Sequence, residues 1–211
     1  MKKILFAVPK GRILQELLVL FDKIALQPES EFFNDNSRKL VFTTNFRNLE
    51  IVKVRSFDVA SFVRLGAADI GVCGLDVIEE FSSNEIFPLL DLAIGKCRLS
   101  IAGKTSQNFD LSSLSHIRIA TKYVELAKKY FAKKNVQAEI IKLNGAIEIA
   151  PKLGLCDFIV DLVSSGKTLQ ENNMVEISTI LQVSSYLIAN RTSFKTKNDE
   201  INELLKLFNV A

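Results

Sequence analysis

Histidine is almost missing from this chain: His116 is the only one, and it lies in the polar stretch Ser112 to Arg118. A Ser/His/Asp or Cys/His triad would depend entirely on that side chain, and its polar setting marks it as a surface residue. Cysteine is sparse as well. Cys73, Cys97 and Cys156 lie far apart, each in or beside an apolar run, with no Cys-x-x-Cys. A zinc site needs about four soft ligands, so none is expected, and buried free thiols in a reducing compartment are. A strong excess of one charge is also lacking. The net charge of +3 argues against nucleic-acid binding, which calls for a pronounced basic patch. Anionic small molecules remain open, since they need only a few well-placed cations. No apolar run reaches the ~18 residues of a membrane span. The opening run, Ile4 to Val8, is five residues long, below the ~7–15 of a signal peptide's apolar region. Pro9-Lys10-Gly11-Arg12 then stops it. A soluble, cytoplasmic protein is expected.

What is present is a chain of 211 residues, 48% of them hydrophobic, enough for a sizeable core and against disorder. Ile4 to Val8 reads as a buried strand, followed by apolar residues at helical spacing from Ile13 to Ile24. Lys39 to Thr43 and Leu49 to Val54 read as a hairpin. A helix capped by Ser56 or Asp58, a strand Asp69 to Cys73 and a helix Leu75 to Phe81 follow. Leu89 to Ile94 and Arg98 to Ala102 read as separate strands, and Ser106 to Ser115 as a loop. A second series then runs through a strand at Ile117 to Ala120, a helix at Val124 to Lys134 and a strand at Ala138 to Leu143. It continues with a short helix at Ala146 to Leu153 and a strand at Asp157 to Val163. Strands at Val175 to Ile180 and Ser185 to Ala189 and a helix at Glu200 to Phe208 close the chain.

Alternating strands and helices imply α/β layers with mostly parallel pairing. No Pro/Gly-rich linker separates the two series, so two lobes joined by ordered crossovers are expected. Residues 1–92 plus 179–211 would form lobe I, and 93–178 lobe II. Ligands in such folds bind beyond the carboxyl ends of strands.

The stretch 161–173, "DLVSSGKTLQENN", has the parts of a phosphate loop. Ser164, Ser165 and Thr168 bring hydroxyls, Lys167 brings charge, and Gly166 permits close backbone approach. A P-loop would need glycine where Asp161 stands, so a P-loop hydrolase is the weaker reading. A plain strand end with a serine helix cap fits the same residues. Other polar groups gather at predicted strand ends. They are Lys10, Gly11 and Arg12, then Arg38 and Arg55, then Gly74 and Asp76 in lobe I, and Glu148 and Asp161 in lobe II. Such a cleft suits a ligand with phosphates at both ends and hydroxyls between.

Several stretches together resemble the ATP phosphoribosyltransferase family. They are "VPKGR" at 8–12, "SRKL" at 37–40, "VRSFDVASFVRLGAADIGVCGLDVIEE" at 54–80, "RIATKY" at 118–123, "GAIEIAPKLGLCDFIVDLVSSGKTL" at 145–169 and "LIAN" at 187–190. The order is kept nearly end to end, and the length resembles the family's short form, which lacks a C-terminal regulatory domain. Ala146, Ser165 and Lys167 depart from the commoner serine, threonine and arginine, the last two conservatively. The resemblance implies a two-lobed periplasmic-binding-protein-like (type II) α/β fold with the ligand cleft between lobes. It implies transfer of phosphoribosyl from phosphoribosyl pyrophosphate to adenine N1 of ATP, releasing pyrophosphate, as the first step of histidine biosynthesis.

By the same resemblance Arg38 and Arg55 fall near pyrophosphate, and Lys10 and Arg12 near substrate phosphates. Gly11, Gly74 and Asp76 line the substrates, and Ser164, Ser165, Gly166, Lys167, Thr168 and Leu169 cradle the 5′-phosphate. Asp161 and Glu148 accept from ribose hydroxyls or hold the waters of Mg2+ carried by the substrate. The implied partner is a regulatory subunit resembling histidyl-tRNA synthetase, with a homodimer of this chain inside a hetero-octamer. The chain alone would then respond weakly to histidine. The rival reading is a bilobed anion-binding protein without catalysis, which would call for an export signal.

Overall fold

β1 (Ile4–Pro9) is apolar on both faces, as suits a strand covered on both sides by helices. The structure, a computed structural model, describes residues 2–34, 36–105 and 116–210. The expected loop Ser106 to Ser115 lies outside the described residues. β1 pairs in parallel with β3 (Leu49–Val54), from Ile4 opposite Leu49 to Pro9 opposite Val54, and with β4 (Ile70–Gly74). β2 (Val41–Thr43) joins β3 as the expected antiparallel hairpin, Val41 opposite Val52. α1 (Arg12–Lys23), α2 (Ser56–Arg64) and α3 (Leu75–Phe81) follow β1, β3 and β4 in turn.

The chain then enters β5 (Ile86–Lys104), one strand of 19 residues where the sequence suggests two. Ala93 (φ 56°) and Gly95 (φ 64°) adopt left-handed backbone within it. The break suggested by Gly95-Lys96 is thus a bend within a continuous strand, as at a bulge. β9 (Met174–Asn190), 17 residues long, likewise replaces two expected strands. The polar residues near Gln182 do not interrupt it, because ladder hydrogen bonds come from the backbone. Between them lie β6 (His116–Thr121), α4 (Val124–Lys133), β7 (Gln137–Lys142), β8 (Phe158–Val163) and α5 (Lys167–Glu171). The helix expected at Ala146 to Leu153 is only a single 3-10 turn, Ile147–Ile149, entered through Ala146 at φ 51°. α6 (Arg191–Thr196) has no counterpart in the sequence reading, and α7 (Asn198–Val210) closes the chain.

The chain divides into two compact units, Met1–Gly95 with Ser184–Ala211, and Lys96–Val183. The strand order is β2-β3-β1-β4-β9 in the first and β5-β8-β6-β7 in the second. In the first unit Phe6 of β1, Phe21 of α1 and Phe208 of α7 form a triangle with ring centroids 5.9–6.2 Å apart. Each such fully buried side chain stabilises the fold by about 1.5–3 kcal/mol. The other face of β1 packs Ala7 against Val59, Ala60 and Val63 of α2. Buried Asp69 accepts from the Leu5 backbone N–H (2.9 Å), Ser193 Oγ (2.6 Å) and Lys197 Nζ (2.8 Å), which ties α6 and its C-terminal end to β1. Asn190 caps α6 by accepting from Thr192 and Ser193 N–H groups, and donates to the Val63 carbonyl at 2.8 Å. In the second unit Ala102, Ala120, Ile147, Ile159, Val163, Leu169 and Met174 share a core. Among the described residues no helix is long and apolar enough to cross a membrane.

Candidate active site

Parallel pairing puts the carboxyl ends of β1, β3 and β4 on one edge of the first unit. Pro9 is level with Val54, and the Lys10 N–H donates to the Val54 carbonyl at 2.9 Å. Lys10-Gly11-Arg12, Arg55 and Gly74 through Asp76 therefore share that edge. Arg38 joins them because β2 runs antiparallel to β3, so the segment before Val41 extends past the Val54 end. Gly11 precedes α1 at φ 88°, ψ −148°, a region open essentially only to glycine. A Cβ there would meet nothing within 4 Å, so the constraint is conformational. Arg12 lies within 3.9 Å of Glu16, whose carboxylate accepts from the Gly95 N–H at 2.7 Å. Among the described residues the side chains of Lys10, Arg38 and Arg55 have no hydrogen-bond or ion-pair partner. Asp76 is buried in the first turn of α3, where the helix dipole favours a carboxylate.

Two lysines outside the sequence reading join this edge. Lys39 and Lys53 line a cavity of about 230 Å³ with Lys10, Gly11, Asn34 and Ser37. Lys53 Nζ donates to the Phe32 carbonyl at 2.5 Å and lies 4.5 Å from the Phe32 ring centroid. Its signal was present in the sequence. Lys53 shares strand parity with Leu49 and Ile51, both buried, so a cation stands on the face that packs against the core. Lys39 pairs with Glu29 at 2.5 Å, and this hydrogen bond holds the Glu29 carboxyl below its usual range.

In the second unit β6, β7 and β8 run parallel, so Thr121, Lys142 and Val163 end on one edge. The loop after Val163 exposes Ser164, Ser165, Lys167 and Thr168. Gly166 has φ 79° and its Cβ position is open, with only Val163 Cγ1 at 3.9 Å. The Gly166 requirement is therefore positive φ, not room. The Lys167 N–H donates to Ser165 Oγ at 3.4 Å, and Lys167 Nζ lies 3.9 Å from Glu171. Leu169 departs from the rest of the loop: its side chain is buried in the core, so only its backbone is available. Asp161 stands in β8 opposite Ser100 and accepts from its neighbour's N–H, that of Leu162, at 2.8 Å. Glu148 lines a separate cavity of about 380 Å³ with Lys104, Thr105, Lys152, Asn172 and Asn173, and no other sequence-predicted site residue lines it. His116 is exposed and the thiols of Cys73 and Cys156 are buried. Burial pushes both thiols up, away from reactive thiolate.

The family model for ATP phosphoribosyltransferase matches residues 55–209. The chain belongs to the ATP phosphoribosyltransferase family. The ATP phosphoribosyltransferase of Rhodospirillum rubrum is 51% identical over 211 residues, covering 99% of this chain and 93% of its own length. That of Sphingopyxis alaskensis is 49% identical over 208 residues, with the same coverage. The ATP phosphoribosyl transferase (HisG:HisZ) complex from Thermotoga maritima contains a chain similar to this one at 28% identity. Its TM-score is 0.82, over 98% of this chain and 96% of that one. The periplasmic aliphatic sulphonate binding protein SsuA from Escherichia coli is 12% identical with a TM-score of 0.61, over 99% of this chain and 72% of that one. That last likeness concerns fold alone: the ATP phosphoribosyltransferase family shares the periplasmic-binding-protein type of α/β architecture.

Proposed function

We propose that this protein transfers the phosphoribosyl group of phosphoribosyl pyrophosphate to N1 of ATP's adenine, releasing pyrophosphate and forming phosphoribosyl-ATP, the first step of histidine biosynthesis. The observation that carries the reading is the family match over residues 55–209, a range that takes in Arg55 and the Ser164–Leu169 loop. Adenine N1 already holds a lone pair, so its attack on ribose C1 needs no strong base. The C1–O bond to pyrophosphate breaks, and its electron pair leaves with pyrophosphate. The catalytic demand is therefore to stabilise that growing negative charge. Arg55 and Arg38, exposed cations at the strand edge of the first unit, suit the leaving group, with Lys10 and Arg12 on other phosphates. Gly11, Gly74 and Asp76 shape the same edge.

In the second unit the hydroxyls, N–H groups and charge of residues 164–169 suit the 5′-phosphate, and Asp161 suits the ribose. Glu148, in its separate cavity, is the weaker ribose partner. We assign the unit Lys96–Val183, where 93–178 was expected, to lobe II carrying the phosphoribosyl pyrophosphate loop, and the other unit to lobe I. Mg2+ would be held by substrate phosphates and waters, with Asp161 or Glu148 as its protein contact. When bound it neutralises pyrophosphate charge. The Thermotoga maritima relative was solved as a HisG:HisZ complex. We extend that to a regulatory partner resembling histidyl-tRNA synthetase, joined to a homodimer of this chain within a hetero-octamer. The reading also implies a cytoplasmic location, where ATP is supplied.

The test mixes the protein and this partner with ATP, phosphoribosyl pyrophosphate, Mg2+ and pyrophosphatase, and follows phosphoribosyl-ATP. Its appearance is the expected result. Its absence, with the partner present and both substrates intact, would overturn the reading.

A further inference from the structure

Arg98 belongs to no group considered so far, yet it touches the phosphate loop. It lies on β5 opposite Val163, the last residue of β8. Its Nη1 donates to the Ser164 carbonyl, the first of the loop, at 3.2 Å. The rest of the guanidinium is engaged by a carboxylate. Nε donates to Glu176 Oε1 at 2.6 Å and Nη2 donates to Oε2. Glu176 in turn accepts from Ser100 Oγ at 2.7 Å and Thr179 Oγ1 at 3.3 Å. A carboxylate so surrounded cannot swing, and a two-point fork on it sets the plane of the guanidinium. Nη1 is thereby aimed at the loop carbonyl. Burial of Leu169 holds the other end. A loop held at both ends meets a phosphate with less ordering left to lose.

We propose that Arg98, fixed by Glu176, is a positioning residue that holds the Ser164–Leu169 loop in its phosphate-binding shape; this rests on the reading above that the loop takes the 5′-phosphate of phosphoribosyl pyrophosphate. The hydrogen bonds from Arg98 hold the Glu176 carboxyl at about 2, so the anchor stays ionised at neutral pH.

The second unit supplies its own control. Arg118 makes a similar arrangement, Nη2 to Asp157 Oδ1 at 3.1 Å and Nη1 to the Gly154 carbonyl at 3.3 Å. It anchors the turn before β8, not the loop after it. Arg98→Ala, Arg98→Lys and Arg118→Ala should be compared with the parent protein by two measurements. One is amide hydrogen exchange of a peptide spanning 164–171. The other is calorimetric Kd for phosphoribosyl pyrophosphate and for ATP, each with Mg2+. Arg98→Ala should speed exchange and weaken phosphoribosyl pyrophosphate by about tenfold each, the loss expected for a charge-assisted bond, with ATP unchanged. Arg98→Lys keeps the charge and the fold but cannot span carboxylate and carbonyl together, so it should behave alike. Arg118→Ala should leave both readouts at parent values. Parent-like exchange in Arg98→Lys and Arg98→Ala would overturn the anchor, as would equal effects from Arg118→Ala. Faster exchange with an unchanged phosphoribosyl pyrophosphate Kd would uphold the anchor and overturn the assignment of the loop to that ligand.

Discussion

Three cations at the strand edge of the first unit differ in their surroundings from Arg98 of the second. At the strand edge of the first, Lys10, Arg38 and Arg55 carry charge with no side-chain partner among the described residues. At the corresponding edge of the second, Arg98 is bound by Glu176 and the Ser164 carbonyl. The exposed loop beside it offers hydroxyls, backbone N–H groups and the single cation Lys167. A side chain held by its own carboxylate has little charge left to give a ligand, but it can hold backbone in place. Unpaired charge suits a leaving group that gains charge during the reaction. A preorganised backbone suits a phosphate whose charge stays constant.

That contrast can be broken at several strengths. The largest effect should come from a charge buried purely for structure. Asp69→Ala leaves Lys197 and Ser193 without their acceptor and should cost about 3–5 kcal/mol of stability, read as a lower urea midpoint. Hydrogen exchange of the 164–171 peptide should stay unchanged in native conditions. Accelerated exchange there would mean that loop order depends on the first unit.

Arg55→Ala tests the unpaired cations. It should slow the chemical step by about a hundredfold, ~3 kcal/mol in the transition state, with a smaller change in KM for phosphoribosyl pyrophosphate. Single-turnover kinetics is the measurement, since product release can limit kcat. An unchanged chemical step would remove Arg55 from the leaving group. Gly166→Val tests the preorganised backbone. The left-handed conformation costs a non-glycine residue about 1–2 kcal/mol, and a β-branched one is a poorer fit still. Calorimetric Kd for phosphoribosyl pyrophosphate should weaken by about tenfold or more while the protein stays folded. An unchanged Kd would make the loop a purely structural turn.

The smallest effect is in acid. The Glu176 carboxyl is held at about 2 in the fold, against 4.5 ordinarily, chiefly by its bonds to Arg98. Its folded value is depressed, so its contribution is complete above the ordinary value and fades as pH falls toward 2. Loop exchange, corrected for intrinsic rate, should be flat from pH 8 to about 5 and should rise below ~4.5. Glu176→Gln should remove that acid limb. A limb that survives the substitution would have to come from another carboxylate.

Much of this was legible in the chain itself. A short continuous apolar run marked β1, as suits a strand buried on both faces, and helical apolar spacing marked α1, because burial of one face imposes that spacing. Polar residues at strand ends marked the candidate site, since parallel strands bring their carboxyl ends to one edge. Other features were not legible locally. The continuity of β5 through Ala93 and Gly95 depends on the backbone of its neighbours, and side-chain polarity does not report it. Asn190 caps α6 through N–H groups two and three residues on, but its second contact, to the Val63 carbonyl, is distant in sequence.

The sequence alone determined which chemistry is available: one histidine, scattered thiols, cations after strands, and hydroxyls with a glycine between Val163 and Leu169. Residue types and short-range periodicity carry that information, so no coordinates are needed. Tertiary structure decided which of these groups remain available and which are used internally. Lys53 gained a cavity, Leu169 lost its side chain to the core, and Arg98 acquired both Glu176 and the Ser164 carbonyl. Those outcomes depend on partners as many as 78 residues apart along the chain, brought together by the register of strands, which no local pattern encodes.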